Sequence, residues 1–317
     1  MSTILVTGAS GFVARSLITE IKASGNRVVG VSRVPSVSEA DEFFSVPDFA
    51  VNGVWKRPLE SCDIVMHLAA RVHVMNDSSD NPLAEFRKTN VDGTLNLAKQ
   101  ASLAGVKRFI FVSSIKVNGE YTETGVPFTE ADLPKPQDAY GISKLEAEQG
   151  LMLIAQQTGM EVVIIRPPLV YGAGVKANFA SMLRMVARGI PLPLGAIYNK
   201  RSLVYIDNLI SLILKCIEHP AAVNQVFLVS DGHDLSTTEL LRGCAAALGV
   251  KARLLPIPQK PLEAFAAMIG KKDVAQRLCG NLQVDISKAR SLLGWIPPVS
   301  VEEGLRATAE DFNKVNK

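Results

Sequence analysis

Residues 6–17, VTGASGFVARSL, set Gly8 and Gly11 between an apolar run and an amphipathic one. The run before them, TILVT, is continuous and rich in β-branched residues, as strands buried on both faces read. The stretch after them, GFVARSLITEIKASG, carries helical spacing and closes at Gly25. A chain that passes from strand through a glycine turn into helix has few folds open to it. The helix must cross the sheet so that the next strand lies parallel to the first. Glycine lets the turn tighten and approach an anion closely. The helix N-terminus then offers that anion free N–H groups and partial positive charge. Ala14 holds the third small position and keeps helix and strand close.

The alternation continues. RVVGVSR, DIVMHLAA, RFIFVSS and EVVIIRPPLV read as buried strands, and NVDGTLNLAKQASLAG and YGISKLEAEQGLMLIAQQTG read as helices between them. The latter two end at Gly105 and Gly159. The expected fold is α/β: a doubly wound parallel sheet of the Rossmann type over residues 1–167, its first turn binding a dinucleotide through Gly8, Ser10, Gly11, Phe12 and Val13. Beyond residue 167 prolines and glycines thicken, in RPPLVYGAG and RGIPLPLG. Residues 168–317 are expected to form a smaller mixed α/β region for substrate, with segments around 200–230 free to return to the first domain. Helical pieces are expected at 208–219 and 237–248.

Composition narrows the class further. The 317 residues carry a net charge of +3 and no basic run, which argues against nucleic acid as a partner. The four cysteines, Cys62, Cys216, Cys244 and Cys279, are scattered, so neither a metal site nor a disulfide framework is expected. LISLILKCI contains Lys215 and is shorter than the roughly 20 residues a membrane span needs. The start runs straight into a strand, so no signal peptide is expected. A reduced, cytoplasmic protein is the expectation.

The second strand ends in Ser32 and Arg33, where NAD-preferring sites place Asp or Glu for the ribose 2′-hydroxyl. Arg33 would instead attract a 2′-phosphate, so NADP(H) is the expected cofactor, with NAD(H) as the alternative. Arg33 could also be a solvated loop cation or stack on adenine.

In AYGISK, Tyr140 and Lys144 lie at i and i+4 and share a helix face. Ser113 and Ser114 end the strand FIFVSS, and such sheets bind ligands at the C-terminal ends of their strands. A hydroxyl, a phenol and an ammonium that lowers the phenol's pKa make an acid–base unit. Tyr140 would exchange a proton with a sugar hydroxyl or carbonyl while nicotinamide carries the hydride.

Together TGxxGxxA, HLAA at 67–70, TNVDGT at 89–94, VSSIKVNG and YGISK resemble the extended short-chain dehydrogenases/reductases, specifically the nucleotide-sugar epimerases, dehydratases and reductases. The resemblance covers nearly the whole chain. It implies that Tyr140 is the acid/base, that Lys144 binds nicotinamide ribose and tunes Tyr140, and that Ser114 hydrogen-bonds the reacting oxygen with Ser113 nearby on the substrate side. It implies cofactor contacts from Leu68, Ala69, Ala70 and Pro167, and places Asn90 near the site. It also implies a homodimer through the helices that start near Asn90 and Tyr140. The family's Asp for adenine has no clear equivalent; Asp48 is a candidate.

The acidic pair of the family's sugar dehydratases is replaced by Ile115 and Lys116, which disfavours dehydration. Reduction of the C4 keto group of a UDP-4-keto-6-deoxy-N-acetylhexosamine is the expected reaction. It rests on Ser32–Arg33 and on the likeness of SSIKVNGE, RPPLVYG and RSLVYIDNL to bacterial enzymes of that kind. The alternative is a UDP-sugar 4-epimerase with tightly held NAD, and a third reading is a non-catalytic NADP sensor or scaffold. Candidates for the substrate are Asn178, which could instead cap a helix, and Arg201 and Arg277, which could bind diphosphate or form surface ion pairs. Asp207 is expected to cap a helix, His67 and Trp295 to be structural, and His73 to be a weak candidate near the sugar.

Overall fold

A computed structural model describes residues 1–35, 39–72 and 81–315. Strands β1 (Thr3–Thr7), β2 (Arg27–Ser32), β3 (Glu42–Ser45), β4 (Ile64–His67), β5 (Arg108–Val112), β6 (Glu161–Arg166) and β9 (Gln225–Leu228) form one sheet. Its order is β3-β2-β1-β4-β5-β6-β9, and every pairing is parallel. The order reverses between β1 and β4, which opens a crevice at their C-terminal ends.

The continuous apolar runs are explained by which way each residue points. In β1, Ile4 and Val6 join the core on one face and Leu5 the core on the other. In β6, Val163 and Ile165 face one side, Val162 and Ile164 the opposite one. The first core packs under α1 (Phe12–Ala23) and α6 (Ile206–Glu218), which contact each other. The second packs under α3 (Gly93–Leu103) and α4 (Ala139–Thr158), with Trp55 fully buried among them. α3 is entered from α2 (Pro82–Arg87) through a π-helical segment, Lys88–Asp92.

Past residue 167, β7 (Leu169–Tyr171) and β8 (Leu203–Tyr205) pair as a separate two-stranded parallel sheet. Around it lie α5 (Ala177–Ala187), α7 (Thr237–Leu248), α8 (Gln259–Met268), α9 (Lys272–Cys279), α10 (Ser287–Leu293) and α11 (Val301–Val315). β9 comes from this later part of the chain yet completes the large sheet beside β6. Trp295 is buried and donates from its indole N–H to Ser211 of α6 at 3.2 Å. All four cysteines are buried free thiols. No described helix is long and apolar enough to cross a membrane.

Asp207 differs from expectation. α6 starts one residue before it, and the N-cap is Tyr205 with no side-chain cap. Asp207 sits in the first turn, where its charge suits the positive end of the helix without capping it.

Candidate active site

The turn after β1 is shaped by its glycines. Gly8 sits at φ +69°, and an added Cβ would lie 3.0 Å from Ala69 N and 3.1 Å from Ala69 Cα. A Cβ on Gly11 would lie 2.9 Å from the Gly8 carbonyl. Gly11 caps α1 without any side-chain hydrogen bond, and the first turn of α1 carries no acid. The N–H groups there are left for an external anion. Close packing of the turn on residues 68–69 and an uncapped helix start fit a dinucleotide pyrophosphate. Ser10, Phe12 and Val13 are half-buried along the same turn, and Leu68, Ala69 and Ala70 are half-buried at the end of β4.

At the end of β2, Ser32 is buried and its hydroxyl donates to the Val34 carbonyl. That hydroxyl is therefore committed to its own loop. Arg33 is exposed. Asp48 accepts from Ala50 N at 2.9 Å and lies 3.6 Å from Lys88 Nζ, so its carboxylate holds the turn it sits in. His73 lies outside the described residues.

Below the crevice, His67 is fully buried. Its Nδ1 is 2.7 Å from Thr7 Oγ1 and its Nε2 2.8 Å from Thr94 Oγ1. Thr7 Oγ1 also accepts from Ala69 N at 3.2 Å. His67 thus ties β1, α3 and the loop after β4 together, as a structural residue. Burial first, then the Lys144 charge, hold its pKa down near 3. The unfolded chain binds a proton below about 6.5 that the folded chain refuses until about 3. Stability should therefore fall as pH drops through that window, by about 1.4 kcal/mol per unit. Between pH 7 and pH 5 the wild type should lose about 2 kcal/mol more unfolding free energy than His67→Gln, measured by urea titration. Equal losses would mean that His67 is protonated in the fold.

α4 is capped by Asp138, whose Oδ1 accepts from Gly141 N at 2.7 Å. Its first turns present Tyr140 and Lys144 beneath the end of β5. Tyr140 is hydrogen-bonded to the side chain of Ser114, and its ring meets the edge of Phe86 at a centroid distance of 6.1 Å. Lys144 is buried, donates to the Val112 carbonyl at 2.8 Å and sits 4.2 Å from the Phe111 ring centre. The structure thus brings Ser114, Tyr140 and Lys144 into one place.

Their electrostatics differ from expectation. Burial pushes the Tyr140 phenol up to about 12, the Asp138 charge adds to this, and the Ser114 hydrogen bond opposes it. Burial pushes the Lys144 ammonium down to about 7 while the Glu148 charge works to restore it. Lys144 is not among the groups that lower the phenol's pKa here. What lowers it is the hydroxyl of Ser114.

The Ser113 hydroxyl donates to Glu148 Oε1 at 2.5 Å. Glu148 forms a buried ion pair with Arg166 of β6, and Arg166 Nη1 donates to Asn118 Oδ1 at 2.9 Å. Neighbours on an extended chain face opposite ways, so only one of the two serines can meet the phenol. Pro167 is buried just after β6 and its carbonyl accepts from Ile115 N at 3.0 Å. Asn90 is buried in the π-helical segment. It accepts from Arg71 N at 2.8 Å and donates to Ser143 Oγ at 3.0 Å, clamping the β4 loop to α4 between Tyr140 and Lys144.

On the far side, Arg201 is largely buried, which pulls its pKa down, and no described carboxylate offsets it. Its Nη1 donates to the Gly280 carbonyl at 3.1 Å. Arg277, on α9 just before Gly280, is exposed and donates to the Asp273 carbonyl. Among the described residues neither arginine forms an ion pair. Asn178 is exposed and lies inside α5; the N-cap position is Lys176, which makes no side-chain cap bond, so Asn178 does not cap the helix. Ala177 beside it is held at φ +54°, a strained position for a residue with a Cβ.

Residues 4–230 match the NAD dependent epimerase/dehydratase family. A UDP-glucose 4-epimerase from Vibrio cholerae is 50% identical over 316 residues, covering 99% of this chain and 96% of that protein. The crystal structure of a UDP-glucose 4-epimerase from Thermotoga maritima with UDP-glucose superposes with a TM-score of 0.81 at 26% identity, over 99% of this chain and 100% of that one. MoeE5 in complex with UDP-glucose and NAD gives a TM-score of 0.80 at 25% identity, over 99% and 100%. With this sheet order, this glycine turn and this match over most of its length, the chain belongs to the NAD dependent epimerase/dehydratase family of extended short-chain enzymes.

Proposed function

We propose that the protein is a UDP-hexose 4-epimerase that keeps NAD bound through its cycle. The observation that carries this reading is the 50% identity along its full length to a UDP-glucose 4-epimerase. The hydrogen-bonded Ser114–Tyr140 pair supplies chemistry that suits it.

Gly8, Gly11 and the start of α1 would hold the pyrophosphate, with Leu68, Ala69, Ala70, Lys144 and Pro167 toward nicotinamide. A bound nicotinamide supplies a hydride acceptor and donor at C4. Tyr140 takes the proton of the C4 hydroxyl and later returns it to the same oxygen. Ser114 holds that oxygen by a hydrogen bond in both directions. Lys144 would hold the nicotinamide ribose. Arg201 and Arg277 would hold the diphosphate, with Asn178 as a further contact. A diphosphate anchored there lets the keto sugar present either face while its oxygen stays within reach of Tyr140 and Ser114. A homodimer through α3 and α4 completes the proposal.

Arg33 supports a second reading, NADPH-dependent reduction of a 4-keto sugar. It is exposed at the end of β2 and can meet a 2′-phosphate. One assay separates the two. The purified protein is denatured and its released cofactor identified, and the native protein is given UDP-glucose or UDP-N-acetylglucosamine. Released NAD with product inverted at C4 is the expected result. Stoichiometric consumption of NADPH by a UDP-4-keto-6-deoxy-N-acetylhexosamine, with no bound NAD, would replace the epimerase with the reductase.

A further inference from the structure

Successive turns of α4 reach successive residues at the end of β5. Lys144 Nζ donates to the Val112 carbonyl at 2.8 Å, Ser113 Oγ donates to Glu148 Oε1 at 2.5 Å, and Tyr140 is hydrogen-bonded to Ser114. Tyr140, Lys144 and Glu148 recur at i, i+4 and i+8, so one helix face makes all three contacts. Past Ser114 the chain makes one 3₁₀ turn, Ile115–Val117, with Ser114 at its N-cap and Asn118 at its C-cap. Arg166 of β6 serves both ends of this stretch. Its Nε and Nη2 fork onto Glu148, at 3.0 Å to Oε1 and 2.6 Å to Oε2, and its Nη1 donates to Asn118 Oδ1 at 2.9 Å. Ser113, Asn118, Glu148 and Arg166 are all buried, and no buried polar atom of these side chains lacks a partner.

We propose that Glu148 and Arg166 are positioning residues: their buried pair fixes the Ser114 hydroxyl against Tyr140 by gripping its chain at Ser113 and Asn118. This rests on the reading of Ser114 and Tyr140 as the pair that meets the sugar oxygen.

Ser114 itself has less to hold it. Among the described residues its side chain is bonded to Lys116 N, at 3.3 Å within its own turn, and to Tyr140. Neither bond ties it to the sheet. The place of its hydroxyl is therefore set by the chain on each side of it. Backbone bonds from Ser113 N to the Ile165 carbonyl and from Ile115 N to the Pro167 carbonyl hold that chain along one edge. The side chains of Glu148 and Arg166 hold it from α4 and β6 together. Stability alone does not call for a buried ion pair, since apolar residues of similar volume often serve as well. A forked guanidinium adds direction: it bonds a carboxylate in one plane and leaves Nη1 aimed at one further acceptor. Here that acceptor is Asn118, and the carboxylate keeps a lone pair for Ser113. The same unit thus brackets Ser114 from both sides.

The test leaves the ion pair intact, because breaking a buried pair endangers the fold and because the Glu148 charge also acts on Lys144. Ser113→Ala and Asn118→Ala each remove one of the two grips. Each is made alone and on Ser114→Ala, and all are loaded with NAD. Alone, each should lower kcat for UDP-glucose epimerisation about tenfold with KM little changed, as a slightly misplaced reacting group does. On Ser114→Ala the same change should lower kcat by less than about twofold, because the hydroxyl it would misplace is gone. A merely structural role predicts the same fold-loss in both backgrounds, and that result overturns the proposal. Wild-type kcat in either single variant overturns it too. Crystal structures add a readout that needs no substrate. Ser114 Oγ should lie within about 3.0 Å of Tyr140 Oη in wild type and beyond about 3.5 Å in Ser113→Ala. An unchanged separation overturns the proposal. If the separation widens while wild type turns over no UDP-sugar, the function reading fails and the positioning stands.

Discussion

Tyr140→Phe should lower kcat by about 10²–10⁴-fold, the range that a positioned acid–base group contributes. Cofactor content should not change. The ring remains, so its edge contact with Phe86 is kept and α4 loses no packing. Only the oxygen that meets Ser114 is removed. Ser114 would keep its bond from Lys116 N and could hold a sugar oxygen, but nothing would move its proton. The measurement is kcat for UDP-glucose epimerisation beside the quantity of NAD released on denaturation. Turnover within a few-fold of wild type would sink the mechanism. Lost turnover together with lost NAD would show that the phenol serves the fold of the site and not the chemistry.

Gly8→Ala should weaken cofactor binding by at least about tenfold, because the alanine is wrong in two independent ways. At φ +69° a residue with a Cβ costs about 1–2 kcal/mol. The new Cβ would also press on Ala69 N and Cα, which are backbone atoms held by the Thr7–His67–Thr94 chain of hydrogen bonds. They cannot rotate aside as a long side chain would. The turn would open and shift the N–H groups at the start of α1. Titration of cofactor-stripped protein with NAD by calorimetry reads the change. Equal affinity in the two proteins would mean that the first turn is not where the pyrophosphate sits.

Much of this site is written in local spacing. Tyr140 and Lys144 follow from i and i+4 on α4, and Gly8 and Gly11 from a turn that no larger residue fits. Glu148 continues the same helical face, one turn beyond Lys144. Its meaning is not local, since its partners Arg166 and Ser113 come from β6 and the end of β5. Ser113 and Ser114 show the limit more sharply. Period-two alternation says that they face opposite sides, not which side holds the phenol. That depends on where α4 lies. Lys116 looked informative only as the absence of an acid, because its partner Asp138 is 22 residues away. Asn178 could not be placed because the start of α5 is set by a strained Ala177 and an uncapped Lys176. β3 and β9 are four residues each, too short to stand out against their surroundings. Pairing with the longer strands β2 and β6 makes them strands.

β9 has a consequence for how the chain is made. Until it arrives, the edge of β6 has no neighbour. β9 ends about 60 residues after β6 does. At synthesis rates of ~5–20 residues per second, that is roughly 3–12 s on the ribosome with an apolar strand edge open. The nucleotide-binding half therefore cannot finish folding as it emerges. Its N-terminal position gives it no head start, and a nascent chain stalled before residue 225 should be a substrate for chaperones.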